Sequence, residues 1–183
     1  VSFAKGVCVN ENFLGLYHND QSDFSRQVGV ALKGLHQTPL PDPLPPALQS
    51  ARLRSVLDAN ASLLIHQTDT FKRNEASWRG LSSQASAEAA DFVKQHRSLL
   101  DDTTDTALLH GDPHRDHFFV TRNDDNSLRL SGIIDFADAV YFDPLYDFTS
   151  VHLDLLGGDL ALLTDALEAY GINPTPEVRT KLL

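Results

Sequence analysis

The chain has 183 residues, 42% of them hydrophobic, enough to bury one substantial core and short for two. Its single cysteine, Cys8, rules out an intramolecular disulfide and suits a reducing compartment. A net charge of −10 argues against a polyanionic partner such as nucleic acid, and no apolar run approaches the ~18 residues that span a bilayer.

The opening VSFAKGVCVN lacks the basic, apolar and small-residue order of a signal peptide, so a cytoplasmic location without membrane attachment is expected. The chain neither starts with methionine nor contains one, which reads as a fragment or as a chain with residues missing. Residues 1–20 suggest short strands around VCV and FLGLY. From Asp23, Phe24, Val28, Leu32 and Leu35 recur at helical spacing, with Ser22 or Asp23 as N-cap. That helix should stop before TPLPDPLPP, whose prolines impose an extended loop. A second helix is expected from about Ala47 to Ile65 and a third from about Ser83 to Leu100, with Trp78 and Phe92 as core residues. TALLH is a short apolar run. FFVTRNDDNSLRLSGIID then reads as strand, polar turn, strand. Beyond Pro144 the pattern is helical through YDFTSVHLDLLGG and DLALLTDALEAYG, with Gly171 at a helix C-terminus. The fold class expected is α+β, mostly helical, with one β-hairpin carrying the polar residues.

Acidic residues are concentrated. Between Asp101 and Asp159 there are 13 aspartates, no glutamate or lysine, and only Arg115, Arg122 and Arg129. Two readings stand: a solvated acidic surface, or a cleft for metal ions and a cationic small molecule. Within that region His110–His117, HGDPHRDH, holds three histidines and two aspartates in eight positions. If residues 118–121 and 128–134 pair around RNDDNS, His117 falls nearly opposite the residues just before Asp135. Asp112 enters the same end of the hairpin from its loop. Two carboxylates and an imidazole meeting there could hold a divalent cation, leaving one carboxylate to face a substrate hydroxyl. His114 and His152, taken singly, read as turn or cap residues.

HGDPHRDH followed by SGIIDFADAVYFDPLYDF resembles the core of the aminoglycoside phosphotransferases, relatives of choline kinase and the protein kinases. The family pattern H-G-D-x-H-x-x-N, a hairpin, I-D-F/W and D-P-x-x-D falls on His110, Gly111, Asp112 and His114, then Ile134, Asp135 and Phe136, then Asp143, Pro144 and Asp147. GLHQTPLP is similar to the L-H segment ending an early helix of that lobe. His117 stands where the pattern has asparagine, similar to some 2''-type and macrolide enzymes, and Phe142 stands where it has glycine.

The resemblance implies a small-molecule kinase using ATP or GTP and Mg2+. Asp112 would orient the acceptor hydroxyl and take its proton, and His117 and Asp135 would hold magnesium. His110, His114 and Asp147 would support the loop, and Asp154, Asp159 and Glu168 would meet an amine-rich acceptor. It also implies that residues 22–183 form the C-terminal catalytic lobe, with residues 1–21 a hinge or remnant of the N-terminal lobe. Two alternatives remain open. A kinase-like binding module without catalysis is one. The other is a zinc hydrolase, because DPHRDH also resembles the H-x-H-x-D-H motif of metallo-β-lactamase folds, with Asp112 in place of its first histidine.

Overall fold

The computed structural model describes residues 5–9, 20–39, 42–43, 45–46, 83–96, 98 and 107–182. The expected strand at FLGLY, the helix at 47–65 and Trp78 lie outside them. The described elements are, in order, β1 (Val7–Cys8), α1 (Gln21–His36), α2 (Ser83–His96), β2 (Ala107–Leu109), β3 (Phe118–Arg122), β4 (Leu128–Ile133), β5 (Val140–Phe142), α3 (Leu145–Ser150), α4 (Leu160–Tyr170) and α5 (Pro176–Lys181). The chain divides into two units, residues 1–48 with 105–183, and residues 49–104.

In the second unit, α2 starts at Ser83 as expected and ends at His96. Gln84 donates to Glu88 one turn on at 2.9 Å, and the half-buried Phe92 ring lies 4.4 Å from His96.

In the first unit, the apolar stripe of α1 buries Phe24, Val28 and Leu32 completely, while Leu35 is half-buried. Each such aromatic or aliphatic side chain taken from water contributes about 1.5–3 kcal/mol. The helix starts ahead of the expected cap because Ser22 is drawn into a tertiary bond, donating to Asp165 Oδ2 at 2.6 Å. It ends at His36, before Pro39. Against α1 runs α4, so close that a Cβ on Gly29 would meet the Ala166 carbonyl oxygen at 2.1 Å. Phe118, Phe148, Leu155, Leu163 and Leu167 complete the same core.

The hairpin forms as expected. β3 and β4 pair antiparallel from Phe118↔Ile133 to Arg122↔Leu128, with a bulge at Phe119/Val120. β1 adds to the outer side of β3, giving the order β1-β3-β4. On the other side of the sheet, Gln27 of α1 reaches β4 with both ends of its carboxamide. Its Nε2 donates to the Leu128 carbonyl at 3.0 Å, and its Oε1 accepts from the Leu130 N–H at 2.8 Å.

TALLH becomes β2, paired antiparallel with β5. This accounts for Phe142: it opposes Ala107, is buried, and meets the Tyr146 ring edge-on at 6.0 Å. The helical stretch after Pro144 is α3 followed by a wider π turn, Val151–Leu155. Gly171 ends α4 at φ 105°, the left-handed conformation a glycine there predicts. The first unit is α+β, with a helical layer over a short hairpin sheet.

Candidate active site

The loop from β2 into β3 is built on buried hydrogen bonds. At its start stands Gly111, at φ 87°, where a Cβ would lie 2.1 Å from the Asp138 carbonyl oxygen. Asp112 follows, and Pro113 after it disfavours a helical backbone there. The His114 N–H then donates to the Asp112 carbonyl at 3.0 Å, and the chain winds through one 3-10 turn, Arg115–His117, into β3.

Beneath this loop lies the fully buried carboxylate of Asp147, from the first turn of α3. It accepts the His110 N–H at 2.8 Å, the Gly111 N–H at 3.0 Å and His36 Nε2 at 3.0 Å. The His36 Nδ1 reaches the Tyr170 hydroxyl at 3.0 Å. One carboxylate therefore ties together the end of α1, the loop and α3.

The tautomers of the two inner histidines follow from their carbonyl partners, because a carbonyl only accepts. His110 donates from Nε2 to the Ile134 carbonyl at 2.8 Å, so its Nδ1 takes the Asp112 N–H at 3.3 Å. His117 donates from Nδ1 to the Asp112 carbonyl at 2.8 Å. Its Nε2 therefore carries the lone pair when the ring is neutral, and this atom faces Asp135 Oδ2 at 3.6 Å. Two acceptors pointed at one another are unfavourable without a proton or a cation between them.

His117 stands between the two expected carboxylates, facing Asp135 on one side and grouped with Asp112 and His114 on the other. His117 and Asp135 meet at the hairpin mouth, where the Ile134 N–H donates to the His117 carbonyl at 3.0 Å. Asp135 sits in the left-handed region at φ 63° with its side chain 56% exposed. Asp112 gathers with His114 and His117, one ligand atom from each lying within 4.8 Å of the others. The His110, His117 and His114 rings form a short column, with centroids 5.4 Å and then 3.8 Å apart. Tyr146 shows the electrostatic character of the spot. Burial and the negative charges of Asp147, Asp112 and Asp138 push its phenol up.

Of the three acidic residues expected to meet an acceptor, Asp154 and Asp159 carry hydrogen bonds within the chain. Asp154 accepts the Arg115 N–H at 2.7 Å and its Nε–H at 3.1 Å, and Arg115 also donates to the Asp154 carbonyl at 2.6 Å. Partial burial pushes the Asp154 carboxyl up. The two Arg115 bonds, the guanidinium charge and His114 outweigh this and hold it below the usual carboxylate range. Asp159 caps α4, accepting the N–H groups of Ala161 and Leu162 at 2.8 and 3.1 Å. Glu168 is exposed on α4. His152, from the π turn, is buried with no partner for Nδ1 among the described residues.

Tyr170 and Arg115 were not singled out from the sequence as site residues, and His36 entered only as the histidine of GLHQTPLP, with no role. His36 carried a further signal as a histidine one turn after Leu32 on the apolar side of α1.

The family model of the phosphotransferase enzyme family (APH) matches residues 8–182. Among solved structures, the GDP complex of wild-type aminoglycoside 2'-phosphotransferase-IIIa superposes over 98% of this chain and 56% of its own, with a TM-score of 0.69 at 17% identity. The streptomycin–ATP–APH(2")-IIa ternary complex is matched over 97% of this chain and 56% of its own, with a TM-score of 0.55 at 18% identity. The chain thus spans little more than half the length of these proteins and has the kinase-like α+β fold of the matching part. A lysine-specific demethylase, JMJ21 of Arabidopsis thaliana, is 34% identical over 86 residues, 47% of this chain and 8% of the demethylase. Among the described residues no helix is long and apolar enough to cross a membrane. The family match takes in β1, the His-Gly-Asp loop, the hairpin and the helices after Pro144 together, and the chain belongs to the phosphotransferase enzyme family.

Proposed function

We propose that this chain is the C-terminal lobe of a small-molecule phosphotransferase, moving the terminal phosphoryl group of ATP or GTP to an acceptor hydroxyl. Residues 22–183 form the lobe, and residues 1–21 are a hinge or a remnant of the N-terminal lobe. The observation that carries the reading is the pair of carboxylates around one imidazole: the half-buried Asp112 on a loop anchored by buried bonds, and Asp135 facing the His117 lone pair at 3.6 Å.

In the proposed reaction the acceptor oxygen forms its bond to the γ-phosphorus, and the bond from that phosphorus to the β–γ bridging oxygen breaks. The nucleoside diphosphate departs, and the hydroxyl proton passes to Asp112 late in the transfer. His117 and Asp135 would hold magnesium, which when bound neutralises charge on the β- and γ-phosphate oxygens. His110 and Asp147 act by position: their bonds to the loop backbone keep the Asp112 carboxylate in place. An amine-rich acceptor such as an aminoglycoside suits the negative field around Asp112, Asp138 and Asp147. The GDP and streptomycin–ATP complexes of the structural relatives support a nucleotide donor and an acceptor of that class. Dependence on nucleoside triphosphate is in keeping with the cytoplasm.

The test is phosphoryl transfer from γ-labelled ATP and GTP, with magnesium, to a panel of aminoglycosides. Labelled product is expected, and Asp112→Asn should lower its rate by about 10²–10⁴-fold with unchanged circular dichroism. Near-normal turnover in that variant would remove Asp112 from the base role. No product with any acceptor would sink the reading.

A further inference from the structure

The donor atoms around Asp112 do not suit magnesium alone. Magnesium seeks oxygen, whereas the group of ligand atoms within 4.8 Å of one another has two imidazoles and one carboxylate. His117 Nε2 is already available, since Nδ1 is committed to the Asp112 carbonyl at 2.8 Å. This is the arrangement that fixes a metal-binding tautomer. His114 Nε2 lies 3.6 Å from Asp112 Oδ2. A tetrahedral zinc with bonds near 2.1 Å holds its ligand atoms roughly 3.4 Å apart. The Asp112 side chain is 45% exposed and His114 33%, so both border solvent, and closing the remaining gap takes a turn of the His114 ring out of its 3.8 Å contact with His117.

We propose that Asp112, His114 and His117 form a binding site for a zinc-class divalent cation, which shares His117 with the Asp135 position and differs from it in donor set. Three protein ligands leave a fourth coordination position for water. The site is a control point as well. A cation held there occupies the lone pairs of the Asp112 carboxylate, which can then no longer take the acceptor proton, so zinc inhibits transfer. This second part rests on the phosphotransferase reading, whereas the binding site does not.

The experiment titrates the chelator-stripped chain with zinc chloride against a chromophoric chelator, in excess magnesium and with no nucleotide or acceptor. One zinc per chain is expected, with a first shell of two imidazoles and oxygen by X-ray absorption. His114→Gln and His117→Gln should each weaken binding roughly tenfold or more. His96→Gln, altered on α2, should leave it unchanged. Absence of zinc binding, or full affinity in a His114→Gln protein with native circular dichroism, overturns the site. Because His114 is partly exposed, that variant decides the question even if His117→Gln fails to fold. Zinc bound through His114 without any detectable phosphoryl transfer would uphold the site and bring down the phosphotransferase reading alone. Transfer that proceeds undiminished with zinc bound would overturn the inhibitory role.

Discussion

His36 Nε2 lies 3.0 Å from Asp147 Oδ2, with the two side chains 1% and 0% exposed, and the same carboxylate receives the N–H groups of His110 and Gly111. A buried carboxylate with three donors converging on it cannot be removed without stranding all three. Asp147→Ala should therefore destabilise the fold by about 3–5 kcal/mol. Urea denaturation measures this directly. A loss below about 1 kcal/mol would mean that the loop finds other acceptors.

Gly111 has little room for replacement. At φ 87°, with the Asp138 carbonyl oxygen where a Cβ would go, Gly111→Ala carries left-handed strain of about 1–3 kcal/mol in addition to the clash. The expected outcome is lower thermal stability together with reduced transfer, because relieving the clash moves Asp112. A variant as stable as the parent would show that the loop can retreat from Asp138.

For Asp154 the direction of its shift sets the pH dependence. Its carboxyl is held below the usual value of 3.8, so the unfolded chain binds the proton more readily. The stability supplied by Arg115 is fully present above that value and disappears as the pH falls below it. Asp154→Asn should lower the urea midpoint at neutral pH, and the gap from the parent should narrow in acid below about pH 3.8. A gap that stays constant with pH would assign the effect to packing instead.

His152 titrates in a different range. Burial pushes its imidazole down from 6.5, with Asp159 opposing, so the folded state resists the proton that the unfolded chain accepts. Stability is therefore present above about pH 6.5 and is lost as the pH falls through the depressed value. His152→Leu removes the partnerless Nδ1 and should flatten that loss. The check is the slope of the denaturation midpoint from neutral pH down to about pH 5. An unaltered slope would move the acid sensitivity to another histidine.

What the sequence disclosed depended on local pattern. The hairpin register could be read because apolar alternation and a polar turn fix which residues oppose, and this placed His117 beside Asp135. The stripe on α1 and the glycine after α4 were equally legible. β5 was not, since three residues carry too little periodicity, and its apolar Val140 and Phe142 become meaningful only against β2. α5 was missed although Thr175 and Pro176 form a helix start, with Thr175 accepting the Val178 N–H at 3.3 Å. The Arg115–Asp154 contact joins residues 39 positions apart, and no spacing rule reaches that far. The roles expected for Asp154 and Asp159 were drawn from charge, whereas both carboxylates stand closest to backbone N–H groups.

The carboxamide of Gln27 donates to one residue of β4 and accepts from another two positions on, which is the hydrogen-bonding pattern of a neighbouring strand. A helix side chain thereby occupies ladder positions that would otherwise invite another chain. Among the described residues, the opposite margin of the sheet is the two-residue β1. Strand-to-strand recruitment between molecules, the common hazard of a small open sheet, is blunted on one side by a single amide and on the other by brevity.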